Sequence, residues 1–254
     1  MSRDPLGVFD SGVGGLSVLR EIRKLLPAES LIYYADSAHC PYGGKSSAQI
    51  RERACAITEQ LLARGAKLIV VACNTATIAA VEHLRATYPI SFVGIEPAIK
   101  PAVAQTRSGY VGVLATGAAL AGEKFLRLTA QHGQNVQVIT QPCPGLVEFV
   151  ERGELDSPAL RSLLWRYIEP LLKLRVDTLV LGCTHYPFLR PVIRELVGRH
   201  VAILDTGEAV ARQTQRVLER ENLLAPADAA GGFEWLSSGD AAQVAPVIAR
   251  LLGA

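Results

Sequence analysis

Two stretches of the chain place a thiol among other polar groups at the end of an apolar run. Leu179 to Pro187 reads LVLGCTHYP, and Leu68 to Thr77 reads LIVVACNTAT. Apolar runs this short, closed by small or turn-forming residues, read as buried strands. In open α/β sheets the ligand sits beyond the carboxyl ends of such strands, so Cys73 and Cys183 stand where a site is expected. Two thiols on opposite walls of a cleft can take a proton from one face of a carbon and deliver one to the other face, which inverts that carbon. The thiolate is the working base and a free cysteine titrates near about 8.5, so each thiol needs activation. Helix N-terminal N–H groups supply part of it, and neighbouring ionisable groups handle the protons. His185 is the partner expected for Cys183, and Asp10, at the end of the first apolar run, is the one expected beside Cys73. Ser11, Asn74, Thr75, Thr116 and Thr184 are strand-end polar groups able to hold a small polar substrate.

Other chemistries fit less well. A lone strand-end cysteine is commonly a small buried apolar residue, and Cys40, Cys55 and Cys143 are left with that role. A zinc site needs about four ligands, and no CxxC or HxxxH spacing is present. A Cys/His hydrolase would use the thiolate as a nucleophile, but it leaves the second thiol unexplained. GVGG at Gly12 to Gly15 falls short of a dinucleotide fingerprint because Ser17 stands where a glycine is required. GGKS at Gly43 to Ser46 falls short of a phosphate loop because His39 occupies the place of its first glycine. His83, His132 and His200 read as solvated surface residues.

The elements that must position these groups alternate. Strands are expected at Leu6–Phe9, Leu31–Ala35, Leu68–Ala72, Phe92–Ile95, Tyr110–Leu114, Val136–Thr140, Leu179–Leu181, Val201–Leu204 and Phe233–Leu236. The segments between them carry helical spacing, apart from a polar Gly- and Pro-rich loop at Asp36–Ser47. Leu160–Leu174 is expected to be helical with a possible kink at Pro170. Such alternation implies parallel sheets joined by right-handed crossovers. GVFDSG (Gly7 to Gly12) lines up with GVLATG (Gly112 to Gly117), and LIVVACNT with LVLGCTHY, in the same order. That points to an internal duplication: an α/β protein of two similar lobes, each a mainly parallel sheet flanked by helices, with the site in the cleft between them. The expected lobes are 1–97 with 207–254, carrying Asp10 and Cys73, and 98–206, carrying Glu151, Cys183 and His185.

Composition excludes several classes. The 254 residues carry a net charge of +2, so nothing marks a polyanion partner, and no basic stripe with interleaved aromatics suggests nucleic acid. The apolar runs are too short to span a bilayer. The N-terminus has no apolar signal region, and five cysteines without one favour free thiols in a reducing cytoplasm.

FDSGVGG (Phe9 to Gly15), PYG (Pro41 to Gly43), ACNTAT (Ala72 to Thr77), GIEPAIKPA (Gly94 to Ala102) and LGCTHYP (Leu181 to Pro187) together resemble the glutamate racemases of the aspartate/glutamate racemase superfamily. The motifs run in the family's order through most of the chain, and the set is far more specific than any one member. The resemblance implies a racemase that needs no cofactor, with Cys73 and Cys183 as the catalytic pair. It implies Asp10, His185 and Glu151 as auxiliary acid/base groups, with Glu148 close enough in sequence to compete for Glu151's place. The positions matching the family's substrate contacts are Asp10, Ser11, Tyr42, Gly43, Asn74, Thr75, Thr184 and His185. It further implies a cytoplasmic enzyme, open to homodimer formation, that supplies D-glutamate for cell-wall peptidoglycan. None of the six lysines stands in a recognisable pyridoxal setting. One departure is Ala119, where the family usually has a second threonine three residues after Thr116. It keeps open a racemase of aspartate or a hydantoin. A non-catalytic two-lobe regulator that binds a small molecule is the rival from another class.

Overall fold

The computed structural model describes residues 1–120 and 136–253. They divide into two compact units, Met1–Ile95 with Gly207–Ala254, and Glu96–Thr206. The helix expected over Leu120–Gln131, and His132, lie outside the described residues beyond Leu120.

The first unit is built on β1 (Leu6–Asp10), β2 (Leu31–Ala35), β3 (Leu68–Val71), β4 (Phe92–Gly94) and β9 (Phe233–Ser237), in the order β4-β3-β1-β2-β9. Every pairing in it is parallel. β1, β2 and β3 are buried along their whole length, which is why they read as continuous apolar runs without alternation. Helices α1 (Leu16–Leu25), α2 (Ser47–Leu62), α3 (Asn74–Thr87), α9 (Gly207–Arg220) and α10 (Ala241–Leu252) belong to this unit. Helix α2 begins earlier than its apolar spacing suggests. Ser46 and Gln49 form a capping box that satisfies donors ahead of Ile50.

The second unit carries β5 (Tyr110–Ala115), β6 (Gln137–Pro142), β7 (Thr178–Leu181) and β8 (Ala202–Leu204), ordered β6-β5-β7-β8 and again parallel throughout. Its described helices are α4 (Ile99–Gln105), α5 (Gly117–Leu120), α6 (Leu146–Glu151), α7 (Pro158–Lys173) and α8 (Arg190–Val197). Pro170 lies within α7, which continues to Lys173. At that depth the missing N–H falls in the last turn, where few helical bonds remain to be lost.

Read from its β8 edge, the second sheet runs β8-β7-β5-β6, strand for strand the order β4-β3-β1-β2 of the first. The loop bonds beyond the strands repeat as well. Ala72 N–H donates to Phe9 O at 2.7 Å and Gly182 N–H to Leu114 O at 2.7 Å. Asp36 N–H donates to Asp10 O and Cys143 N–H to Ala115 O, both at 3.0 Å. The sequence matches noted above fall on these equivalent strands. No described helix is long and apolar enough to cross a membrane.

Candidate active site

In the first unit the chemistry gathers at the carboxyl ends of β1 and β3. Cys73 caps α3. Its backbone is extended, and its Sγ accepts the Ala76 N–H at 3.4 Å. A sulfur at this position meets the first-turn N–H groups and the positive end of a 14-residue helix, a setting that favours thiolate over thiol. Cys73 Sγ also lies 3.9 Å from Ser11 Oγ. Ser11 donates to Asp10 Oδ1 from its N–H at 2.7 Å and from its hydroxyl at 3.3 Å. Asp10 is fully buried. Asn74 and Thr75, the first residues of α3, are buried too, and the side-chain carbonyl of Asn74 has no hydrogen-bond partner among the described residues. A buried acceptor left unsatisfied is costly unless a ligand donor fills the place.

Close approach shapes this corner. A Cβ on Gly15 would stand 2.8 Å from Asp10 Cβ and 2.9 Å from Tyr33 Oη, so the chain entering α1 can pass beside Asp10 only as glycine. Tyr33 Oη in turn donates to Gly12 O at 2.6 Å.

The segment expected as an irregular loop, Asp36–Ser47, instead holds two short 3-10 turns, Ser37–His39 and Tyr42–Gly44. Tyr42 is buried in the cluster that also contains Phe9, Val71 and Cys73. Its hydroxyl donates to Asp36 Oδ2 at 2.5 Å. Burial raises the Tyr42 phenol and the adjacent Asp36 charge raises it further, so it stays a donor. Burial works against the Asp36 charge, but hydrogen bonds from Arg53, Tyr42 and Ser238 hold the carboxyl below the usual carboxylate range.

In the second unit Cys183 sits two residues beyond β7, at the position Cys73 holds beyond β3. No α-helix starts at it; a 3-10 turn, Tyr186–Leu189, follows, because Pro187 and Pro191 delay the regular helix to Arg190. Here an imidazole takes the place of helix N–H groups. Cys183 Sγ lies 3.6 Å from His185 Nδ1, and His185 Nε2 lies 2.6 Å from Glu151 Oε1, the last residue of α6. Both ring nitrogens of the buried His185 are thereby engaged. The carboxylate bonded to His185 is Glu151, while Glu148 stands one turn earlier in α6 with a buried Oε2 that has no hydrogen-bond partner among the described residues. Thr184 is buried beside Cys183. Thr116 follows β5, and its hydroxyl accepts the Ala119 N–H at 3.3 Å.

The expected residues thus assemble as two clusters, Asp10, Ser11, Cys73, Asn74 and Thr75 in one unit and Glu151, Cys183, Thr184 and His185 in the other. Tyr42 and Gly43 join the first through Asp36, and Thr116 stands at the second strand end. Sequence reasoning missed Asp36 and Arg53. The available signal was an aspartate directly after a wholly apolar strand, the place Asp10 holds at the end of β1.

Comparison with known proteins gives the same family. Residues 6–214 match the model of the Asp/Glu/hydantoin racemase family. The chain is 58% identical to a glutamate racemase of Herpetosiphon aurantiacus over 97% of both proteins. Among solved structures, a glutamate racemase isoform of Bacillus anthracis superposes with a TM-score of 0.89 at 31% identity, over 100% of this chain and 96% of that one. The Escherichia coli glutamate racemase, solved with L-glutamate and the activator UDP-MurNAc-Ala, gives 0.86 at 36% identity, over 97% and 95%. Motifs, fold and relatives agree: the chain belongs to the Asp/Glu/hydantoin racemase family, as an amino-acid racemase of the glutamate racemase group.

Proposed function

We propose that the chain interconverts L- and D-glutamate without a cofactor, with Cys73 and Cys183 serving opposite faces of the substrate α-carbon. The observation that carries this reading is the repeated frame: each unit places one buried thiol two residues beyond equivalent strands. One sulfur, as thiolate, takes the Cα proton, and the electron pair left on Cα delocalises into the carboxylate. The other sulfur, as thiol, gives its proton to the opposite face. The enzyme ends with its two protonation states exchanged, and the reverse reaction starts from that form. Asp10 serves the Cys73 side. On the Cys183 side, His185 accepts the thiol proton while Glu151 balances the resulting imidazolium. Asn74 Oδ1 accepts from the substrate ammonium, and Ser11, Thr75, Thr184 and the Tyr42–Gly43 backbone bind its carboxylates, with Thr116 beside them. The relative solved with L-glutamate supports a small amino-acid substrate. Supply of D-glutamate to cell-wall peptidoglycan in the cytoplasm is the role this activity would serve.

The optical activity of L-glutamate should decay to zero with the purified protein and no additive, and in D₂O the product should carry deuterium at Cα. Cys73→Ser and Cys183→Ser should each lower racemisation by about 10³-fold or more. Either variant at wild-type rate would overturn the two-thiol assignment.

A further inference from the structure

Asp36 lies outside every motif that marks the site, yet both of its carboxylate oxygens are bonded. It is completely buried, directly after β2. Its N–H is bonded to Asp10 O at 3.0 Å, which fixes it beside the end of β1. Arg53 of α2 grips both carboxylate oxygens, Nε to Oδ2 at 3.1 Å and Nη2 to Oδ1 at 2.9 Å. Tyr42 donates to Oδ2 at 2.5 Å, and His39 Nδ1 lies 3.0 Å from Oδ1. One residue therefore joins the β1 end through its N–H, and both 3-10 turns of the 37–44 segment and the first half of α2 through its carboxylate. A two-point guanidinium–carboxylate pair fixes orientation as well as distance. At the equivalent place in the second unit, Cys143 repeats only the backbone bond, to Ala115 O. The carboxylate is not needed to build the strand end. It is needed for the Tyr42–Gly44 turn, whereas the described residues after β6 pass from Cys143 into α6 without such a turn.

We infer that Asp36, held by Arg53, is a positioning residue that fixes the Tyr42–Gly44 turn as the carboxylate-binding wall of the first unit's half of the site. This rests on the racemase reading and names a residue that reading leaves without a task. Asp36 moves no proton in the proposed reaction. Its contribution is to substrate binding, through the placement of Tyr42 and Gly43 before the substrate arrives.

The test is steady-state racemisation from each enantiomer. Asp36→Asn should raise KM for both L- and D-glutamate by about tenfold while kcat stays within about threefold, because uniform binding is lost and the proton transfers are not. A fall in kcat at unchanged KM would make Asp36 a proton-handling group and overturn the inference, as would unchanged values of both. Should Asp36→Asn fail to fold, Tyr42→Phe removes one link of the clamp and should raise KM severalfold; no change there overturns it equally. Arg53→Ala should reproduce the KM rise and Arg53→Lys, which keeps the charge but one contact, should recover part of it. A general packing defect would not follow that order. Loss of racemisation by the wild-type protein would instead remove the underlying reading, so the two failures are distinguishable.

Discussion

The two thiols occupy matching places and are served by different means. Beyond β3, Cys73 caps a long helix and its sulfur accepts the Ala76 N–H of α3, with Ser11 and Asp10 beyond. Beyond β7, no α-helix begins at Cys183, and an imidazole backed by a carboxylate replaces the helix end. Asp10 has Ala115 as its counterpart, so the second unit lacks an acid at its central strand end and draws one from α6. A duplicated scaffold fixes where a thiol stands. What surrounds that thiol is set by whichever element follows it, a helix dipole in one half and an ionisable pair in the other.

That contrast predicts unequal sensitivity. His185→Asn should lower kcat by about 10²–10³-fold, since it removes a proton-accepting partner. Ser11→Ala, which leaves the helix N–H groups around Cys73, should cost under about tenfold. Steady-state rates from both enantiomers check this, and equal losses from the two variants would erase the distinction. Glu151→Gln should fall between them, because it keeps a hydrogen bond to His185 and loses only the charge.

The lower ends of the two sheets differ in the same manner. Lys67, just before β3, pairs with Glu29 at 2.7 Å, and both side chains are almost wholly buried. It also donates to Ser2 O at 2.8 Å. Lys67→Met strands a buried carboxylate and should destabilise the protein by about 3 kcal/mol in urea unfolding.

At the site ends the frames differ by one methyl. A Cβ on Gly182 would lie 3.0 Å from both Ala115 Cβ and Leu114 O, whereas its counterpart Ala72 is fully buried and accommodated. Gly182→Ala should cost about 2 kcal/mol and displace Cys183; the reciprocal Ala72→Gly should cost about 1 kcal/mol. If Gly182→Ala is neutral in stability and rate, the two strand ends are not packed as described.

Much of this was legible in the residues. Wholly buried parallel strands announce themselves as unbroken apolar runs, and Leu31–Ala35 was bounded to the residue. The thiols and their hydroxyl neighbours stood out because reactive side chains at the close of such runs have few other uses. What stayed hidden was long-range. The bonds from Arg53 to Asp36 span 17 positions, so no periodicity marks them, and Glu151, 34 positions from His185, was reached through the family resemblance alone. Composition made Asp36–Ser47 a loop, because short 3-10 turns lack an apolar stripe. Whether α3 or a 3-10 turn follows a strand-end cysteine was decided by Pro187 and Pro191, residues that are locally ambiguous between starting and stopping a helix.

Asp177 gives the comparison its smallest test. It precedes β7 as Lys67 precedes β3, so one position carries opposite charges in the two units. Lys67 is answered by a buried ion. Asp177 is answered by neutral donors: Thr106 Oγ1 at 2.6 Å, the N–H groups of Arg107 and Ser108 at 2.8 Å each, and Thr178 Oγ1 at 3.0 Å. Burial opposes its charge, yet the Thr106 hydroxyl and the two backbone N–H groups outweigh that and lower its pKa to about 2. A carboxyl depressed in the folded state stabilises above its unfolded value of 3.8 and loses that contribution as pH falls toward 2. Asp177→Asn should therefore cost about 1 kcal/mol at pH 7, the group being partly screened by solvent, and the deficit should close between about pH 4 and pH 2. Lys67→Met leaves the donors around Asp177 in place and should keep that acid-dependent contribution. Urea unfolding followed from pH 7 to pH 2 separates the two, and a deficit in Asp177→Asn that does not shrink in acid would mean the carboxylate is held by packing and not by its donors.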